Sequence, residues 1–323
     1  MEAITAPMKT RPLVSVIMSV FNGEKYLKES VESILCQTYE DFEFIIINDG
    51  STDSSDEIIG RIKDTRIKYI KHENYGVAKS INNAIPEVKG KYIARFDSDD
   101  ISYPERLEKE VAFLEENKNC VIVGSNADII DKDGVYLYTS KMPVKNSEIK
   151  ETVAKLAPFF QSSVMFHTGT FIECGGYFEK VRQYGEDFIL WNKLAKYGDL
   201  YNIEEPLIKY RLAPSATTNR NKKTTQKIIS IANKVILTNN ISGKDESFIK
   251  NIGKIPQHKK LSSYHCNIGC LYLYKNGNRH KAREQFRKSF NAEHYNAHAL
   301  FFFALSFMPL KIIELWKKMR NIE

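Results

Sequence analysis

The 323-residue chain predicts an α/β fold: a Rossmann-like sheet that begins parallel and becomes mixed, followed by a helical C-terminal region. Three observations carry this. Short β-branched runs alternate with helical periods through the first half of the chain. Apolar runs such as Phe44-Ile45-Ile46-Ile47 fit strands covered on both faces, as in a parallel sheet. Beyond about Asn219 the alternation stops, and the composition turns lysine-rich and helical.

In order, Leu13–Phe21 reads as the first strand, Glu24–Cys36 as a helix and Phe42–Asn48 as the second strand. A polar helix near Asp53–Lys63, a strand over Ile67–Lys71, a helix over Val77–Ile85 and a strand over Lys91–Phe96 continue the rhythm. Pro104 opens a helix running to about Asn117, because proline suits a first helical turn where its missing N–H is not needed. Cys120–Gly124 is the next strand. Asp131-Lys132-Asp133-Gly134, between Ile129-Ile130 and Val135-Tyr136, predicts a hairpin turn, so the sheet is mixed from here. Glu186–Tyr197 carries Phe188, Ile189, Trp191 and Leu194 at helical spacing, with Gly198 expected as its C-cap. Leu200–Arg211 reads as extended.

These elements divide the chain into a short leader (1–11), an α/β domain (12–218) and a basic helical region (219–323). The leader has no basic n-region followed by an apolar stretch, so it is not read as a signal peptide. Leu261–Phe290 resembles one tetratricopeptide-type helical hairpin, a unit that cannot bury its own face and must pack on something else. Ala299–Leu310 is strongly apolar and is followed by Lys311, Lys317, Lys318 and Arg320. These 12 residues are too few to span a bilayer, and Pro309 interrupts them.

At 42% hydrophobic and 27% charged, the composition is that of a globular protein with a sizeable core. The net charge of +7 hides an asymmetry: residues 220–323 carry 20 Lys/Arg against 6 Asp/Glu, a local +14, so the first 219 sum to −7. A basic region beside an acidic one points to an anionic membrane surface or a lipid phosphate as neighbour. No nucleic-acid recognition motif accompanies the charge. Five scattered cysteines without a CxxC pair read as reduced thiols in a cytoplasmic protein. Cys266 and Cys270, four apart beside His265, are taken as buried small hydrophobes rather than as a zinc site.

The chemistry concentrates in Phe96-Asp97-Ser98-Asp99-Asp100, three carboxylates at the end of a strand, where open α/β sheets place their ligands. Such a cluster calls for a cation, and an all-oxygen site suits Mn²⁺ or Mg²⁺ bridging two phosphates. The second strand ends in Asn48-Asp49-Gly50-Ser51-Thr52-Asp53, which brings another acid to the same sheet edge. There Asp49 is the better ligand candidate, and Asp53 reads as a helix cap.

Together, Val14–Asn22, Asn48–Asp53, Asn74–Lys79 and Asp97–Asp100 resemble family 2 glycosyltransferases in order and spacing, over roughly residues 13–212. The resemblance implies a GT-A fold with a nucleotide-sugar donor, commonly a UDP-sugar, in the crevice. Ser19, Val20, Phe21, Asn22 and Glu24 would lie near the nucleotide, Asp49 on its base, Lys79 and Ser98 near the nucleotide or diphosphate, and Asp97 on the ribose. Asp99 would ligate the metal. Gly185-Glu186-Asp187 matches the family's ED element, which makes Asp187 the general base of an inverting transfer to a saccharide hydroxyl. His167 and Arg211 are weaker candidates for the diphosphate or acceptor.

The chain lacks the Gln-x-x-Arg-Trp element and the long apolar spans of processive synthases in the family, which argues against polymerisation with export. The expected setting is cell-surface polysaccharide assembly on a free or lipid-linked saccharide acceptor, with the protein cytoplasmic and peripheral to the membrane. Two other readings compete: an inactive sugar-nucleotide or partner-binding module, and a sugar nucleotidyltransferase. The second is disfavoured because Ser19–Asn22 is not a glycine-rich basic loop for a triphosphate. The sugar is set by pocket shape in the Leu156–Tyr184 region rather than by a motif.

Overall fold

A computed structural model describes residues 12–153, 155, 157–214, 222–252, 256–293 and 296–319. The expected leader, the expected boundary at 218/219 and Leu156 lie outside the described residues. The chain forms two compact units, Met1–Asn126 with Lys141–Ile208, and Ala127–Ser140 with Lys209–Glu323.

In the first unit the βα alternation is realised as β1 (Val14–Val20), α1 (Leu27–Leu35), β2 (Phe42–Asp49), α2 (Ser55–Arg61), β3 (Ile67–His72), α3 (Val77–Ala84) and β4 (Tyr92–Asp97). The β1 and β2 residues are almost all buried, as expected of β-branched strands covered on both faces. A two-residue strand β5 (Ile101–Ser102), helix α4 (Arg106–Glu116) and strand β6 (Cys120–Ile130) follow. Strand β7 (Tyr136–Ser140) belongs to the second unit, and the first continues with α5 (Asn146–Val153), β8 (Met165–His167), α6 (Thr168–Glu173), α7 (Glu186–Leu194) and most of β9 (Asp199–Arg211). The sheet order is β3-β2-β1-β4-β8-β6-β9-β5, with β7 paired to β6. Strands β1 to β4 are mutually parallel where they pair, and β8 is antiparallel to both β4 and β6, so the sheet is mixed as the hairpin signal predicts. On it packs a core that includes Ile17, Ile45, Ile81, Ile93, Phe166 and Trp191.

Three local expectations are corrected. Strand β6 runs to Ile130 rather than stopping at Gly124, because its polar Ser125 and Asn126 are buried and bonded: the Ser125 N–H donates to Ser163 Oγ and Asn126 Nδ2 to the Glu204 carbonyl. Helix α7 ends at Leu194 with Ala195 at its C-cap, three residues before Gly198. Gly198 is needed for a different reason: a Cβ there would lie 2.5 Å from the Asn119 carbonyl oxygen. The expected helix Glu24–Cys36 begins only at Leu27, because residues 22–24 are held in a loop.

In the second unit β7 lies antiparallel to the end of β6, Asp128 facing Thr139. The turn is closed by Asp131, whose Oδ1 accepts the N–H groups of Asp133 and Val135 at 2.9 Å each. Its other oxygen accepts the Tyr272 hydroxyl at 2.8 Å, and the Tyr264 hydroxyl accepts the Lys132 N–H at 3.1 Å. The helices are α8 (Lys222–Thr238), α9 (Gly243–Ile252), α10 (Gln257–Leu271), α11 (Arg279–Ala292), α12 (Ala297–Leu305) and α13 (Leu310–Met319), with a π turn at Tyr272–Asn276. Helices α10 and α11 form the helical hairpin read from the sequence. Ser262 faces Ser289, with Oγ atoms 3.1 Å apart, and His265 Nδ1 lies 2.7 Å from Gln285 Oε1.

Candidate active site

Parallel pairing brings the C-terminal ends of β1, β2 and β4 to one edge: Ser19 lies opposite Asp97, and Val20 opposite Asn48. Sequence segments separated by up to eighty residues therefore meet where ligands of open sheets bind.

Two of the loops at this edge are knitted together. Asn22 sits at φ +52°, a left-handed conformation that asparagine tolerates better than most residues. Its N–H donates to Ser51 Oγ at 3.0 Å, and its Oδ1 accepts the Thr52 N–H at 2.8 Å. The N–H groups of Gly23 and Glu24 donate to Ser55 Oγ and Asp53 Oδ2, and Glu24 Oε2 accepts the Ser54 N–H, all at 3.0 Å. Asn22 and Glu24, expected at the nucleotide, spend these side-chain acceptors on the clasp. Phe21 stands beside it, half exposed, while Val20 is fully buried.

Asp49 carries a structural task of its own. It is 2% exposed, and its two oxygens accept the N–H groups of Tyr75 (2.7 Å) and Gly76 (2.9 Å), so it also holds the 74–76 loop. Gly50 must be glycine, since φ is +74° and a Cβ would fall 2.7 Å from the Asn74 nitrogen. On the held loop Tyr75 stacks on His72 with centroids 4.8 Å apart, and Lys79 Nζ lies 4.4 Å over the Tyr75 ring. Lys79 is thus partly buried against the Tyr75 ring.

The three clustered acids separate by burial. Asp100 is buried, its carboxylate taken by the Ser162 hydroxyl and its carbonyl by Ser30 Oγ at 2.6 Å. Asp97, Ser98 and Asp99 remain half-buried at the strand end and the turn after it. Beneath them Arg95 has no exposed surface. It donates to the carbonyls of Ile17 (2.6 Å) and Phe96 (3.3 Å) and to Asp97 Oδ1 (3.1 Å), whose side chain keeps 35% exposure. A buried guanidinium answered in this way fixes the orientation of the carboxylate it holds.

Asp187 lies half-buried in the first turn of α7, one of its oxygens 2.6 Å from the Phe188 N–H. The buried Tyr177 hydroxyl lies within the electrostatic reach of Arg95 and of the acids Glu186 and Asp187. Burial pushes its pKa up, the adjacent Arg95 opposes that, and the charges of Glu186 and Asp187 add to it. Arg95, Asp97, Tyr177, Glu186 and Asp187 therefore share one electrostatic neighbourhood. His167 is half-buried against Tyr92, with centroids 4.9 Å apart, and burial lowers its pKa, which is the setting of a structural histidine. Arg211 is buried in the second unit.

Sequence reasoning missed Arg95, Ser162 and Tyr177. Only Arg95 left a signal, a charge in the middle of the apolar run Ile93–Phe96. Among the described residues no group of three or more His, Cys, Asp or Glu could hold a metal ion by itself. Two half-buried carboxylates at a strand end fit a hard divalent cation whose remaining ligands are diphosphate oxygens and water, the usual habit of Mg²⁺ and Mn²⁺.

The sequence model described as Glycosyl transferase family 2 matches residues 15–177. An uncharacterised glycosyltransferase of Haemophilus influenzae is 37% identical over 224 residues, covering 66% of this chain and 69% of that protein. One of Methanocaldococcus jannaschii is 38% identical over 214 residues, covering 62% and 71%. Among solved structures, Staphylococcus aureus TarS in complex with UDP superposes with a TM-score of 0.55 at 16% identity, covering 87% of this chain and 90% of that one. The mannosyltransferase PcManGT of Pyrobaculum calidifontis, in complex with GDP-Man and Mn²⁺, gives 0.50 at 16% identity, covering 89% and 88%. At such identities the likeness is one of fold, and the fold is the GT-A type. With half the chain matched by the family's own pattern and its motifs gathered on one sheet edge, the chain belongs to glycosyl transferase family 2.

Proposed function

We propose that the chain moves a sugar, with inversion, from a nucleoside-diphosphate donor, UDP-sugar by preference, to a saccharide hydroxyl. The observation that carries this reading is the register that sets Ser19 against Asp97, with Asp97 oriented by the buried Arg95. Neighbours of the same fold are described with UDP, with UDP-GlcNAc and with GDP-Man and Mn²⁺, which supports a nucleotide-sugar donor.

In this reading Phe21 offers its exposed face to the base, and the loop held by Asp49 flanks it, with Lys79 toward the nucleotide. Asp97 holds the ribose, with Ser98 beside it. Asp99 would hold Mn²⁺ or Mg²⁺, which when bound neutralises charge on the departing diphosphate. Asp187 takes the acceptor proton as the acceptor oxygen forms its bond to the anomeric carbon, and the bond from that carbon to the diphosphate breaks on the opposite face. Arg95, through Asp97, positions the donor side of this reaction. The acceptor is proposed to be lipid-linked, in cell-surface polysaccharide assembly at the cytoplasmic face of a membrane.

Calorimetric titration of UDP, GDP and dTDP with and without Mn²⁺ tests the donor assignment. The expected result is metal-dependent binding of UDP that Asp99→Ala abolishes. Absence of binding by all three nucleotides would move the weight to an inactive partner-binding module.

A further inference from the structure

Among the described residues, eight of the fifteen exposed large apolar side chains fall within residues 300–319. Helix α12 is apolar nearly all round, a pattern normally found on buried helices, yet only Ala299 and Leu305 on it are buried. Leu300 and Phe301 are exposed at 57% and 44%. On α13, Ile313 is buried while Ile312, Leu315 and Met319, spaced as one helical face, are exposed, with Lys311 and Lys318 alongside. Basic groups also border the apolar surface from α11: the Arg283 guanidinium lies 3.9 Å from the Phe307 centroid and that of Arg287 5.4 Å from Phe303. No helix among the described residues is long and apolar enough to cross a membrane.

We propose that α12 and α13 dock flat on an anionic phospholipid surface, Leu300, Phe301, Ile312, Leu315 and Met319 entering the headgroup boundary and the flanking lysines and arginines meeting lipid phosphates. Charge selects this occupant. Residues 220–323 carry 20 Lys/Arg against 6 Asp/Glu, which favours an anionic surface and opposes pairing of this face with a second copy of itself. Two short helices with an apolar ridge and a basic border lie on a bilayer rather than through it. The proposal rests on the lipid-linked acceptor reading only for what that surface would carry.

The test is co-sedimentation of the full chain with vesicles of phosphatidylcholine alone or with about 30% phosphatidylglycerol, at low and high salt. The wild type is expected to pellet with the anionic vesicles, less so in high salt. The double variant Leu300→Glu/Leu315→Glu is expected to bind about tenfold more weakly. Both sites are exposed, so unchanged circular dichroism is expected, and Lys311→Glu/Lys318→Glu serves as a second variant that alters only the charge border. Equal binding of wild type and both variants, or no binding to either vesicle, overturns the proposal. So does a wild-type dimer in sedimentation velocity that the double variant dissolves. UDP titration of the same samples separates the two readings: lost vesicle binding with intact donor binding sinks only the surface, and the reverse sinks only the donor assignment.

Discussion

A guanidinium with no exposed surface persists only where fixed acceptors answer it, and Arg95 meets two main-chain carbonyls and one carboxylate through its two terminal nitrogens. Lysine offers a point charge that cannot serve all three. Arg95→Lys is therefore expected to release Asp97 and weaken donor binding about tenfold, some 1.4 kcal/mol, with a smaller effect on kcat. Asp187→Asn is expected to do the opposite, lowering kcat about 10²–10⁴-fold with donor affinity held. Calorimetry and steady-state kinetics on the two variants check the contrast, and a common pattern in both would dissolve the assigned division of roles. At this scale the acid cluster was legible because carboxylates at a strand end are identifiable by type. The task of Asp49 was not. Its partners are the backbone N–H groups of Tyr75 and Gly76, 26 and 27 residues away, and a main-chain donor carries no sequence signature. The Tyr177 hydroxyl was hidden for a similar reason, since its neighbours come from β4 and α7.

Within α4, Arg106 and Glu110 stand four apart, a spacing that in sequence describes an exposed helix face. Both are fully buried, with Nε 2.9 Å from Oε1, and Arg106 also donates to the Arg95 carbonyl at 2.9 Å, directly under the strand that ends in Asp97. Burial pushes the Glu110 carboxyl up to about 7, against the pull of Arg106. The folded state then holds this proton more tightly than the unfolded chain. The contribution to stability is complete below the unfolded value, near 4.3 on average, and is lost as pH rises through about 7. Unfolding free energies at about pH 5 and about pH 7 should show the wild type losing stability relative to Glu110→Gln, by a difference on the order of 2 kcal/mol. A wild type that gains on the variant as pH rises would mean that the pair is ionised throughout. Elements were otherwise legible wherever periodicity was long and uninterrupted, as in β2 and the α10–α11 hairpin. Ends were not, because the buried polar pair Ser125-Asn126 imitates a strand end and Gly198 imitates a cap.

Over the whole chain the sequence gives no sign that residues 127–140 group with the helices that follow residue 221. That grouping depends on Lys132 and Asp131 meeting Tyr264 and Tyr272, 132 and 141 residues onward, a separation over which local pattern has no reach. Ligand linkage provides a measurement on the intact molecule. A nucleotide that binds only the folded state stabilises it by about 2.7 kcal/mol at a hundred times its Kd. For a chain of this size that should raise Tm by roughly 4 °C. With UDP and Mn²⁺ together the wild type should show this rise, with either alone much less, and Asp99→Ala none beyond that of UDP alone. The comparison is made against each protein's own unliganded Tm, so any change that Asp99→Ala makes to the unliganded fold is subtracted. An equal rise in wild type and variant would move the cation to Asp97, the other carboxylate left accessible at the strand end, and leave Asp99 outside the donor site.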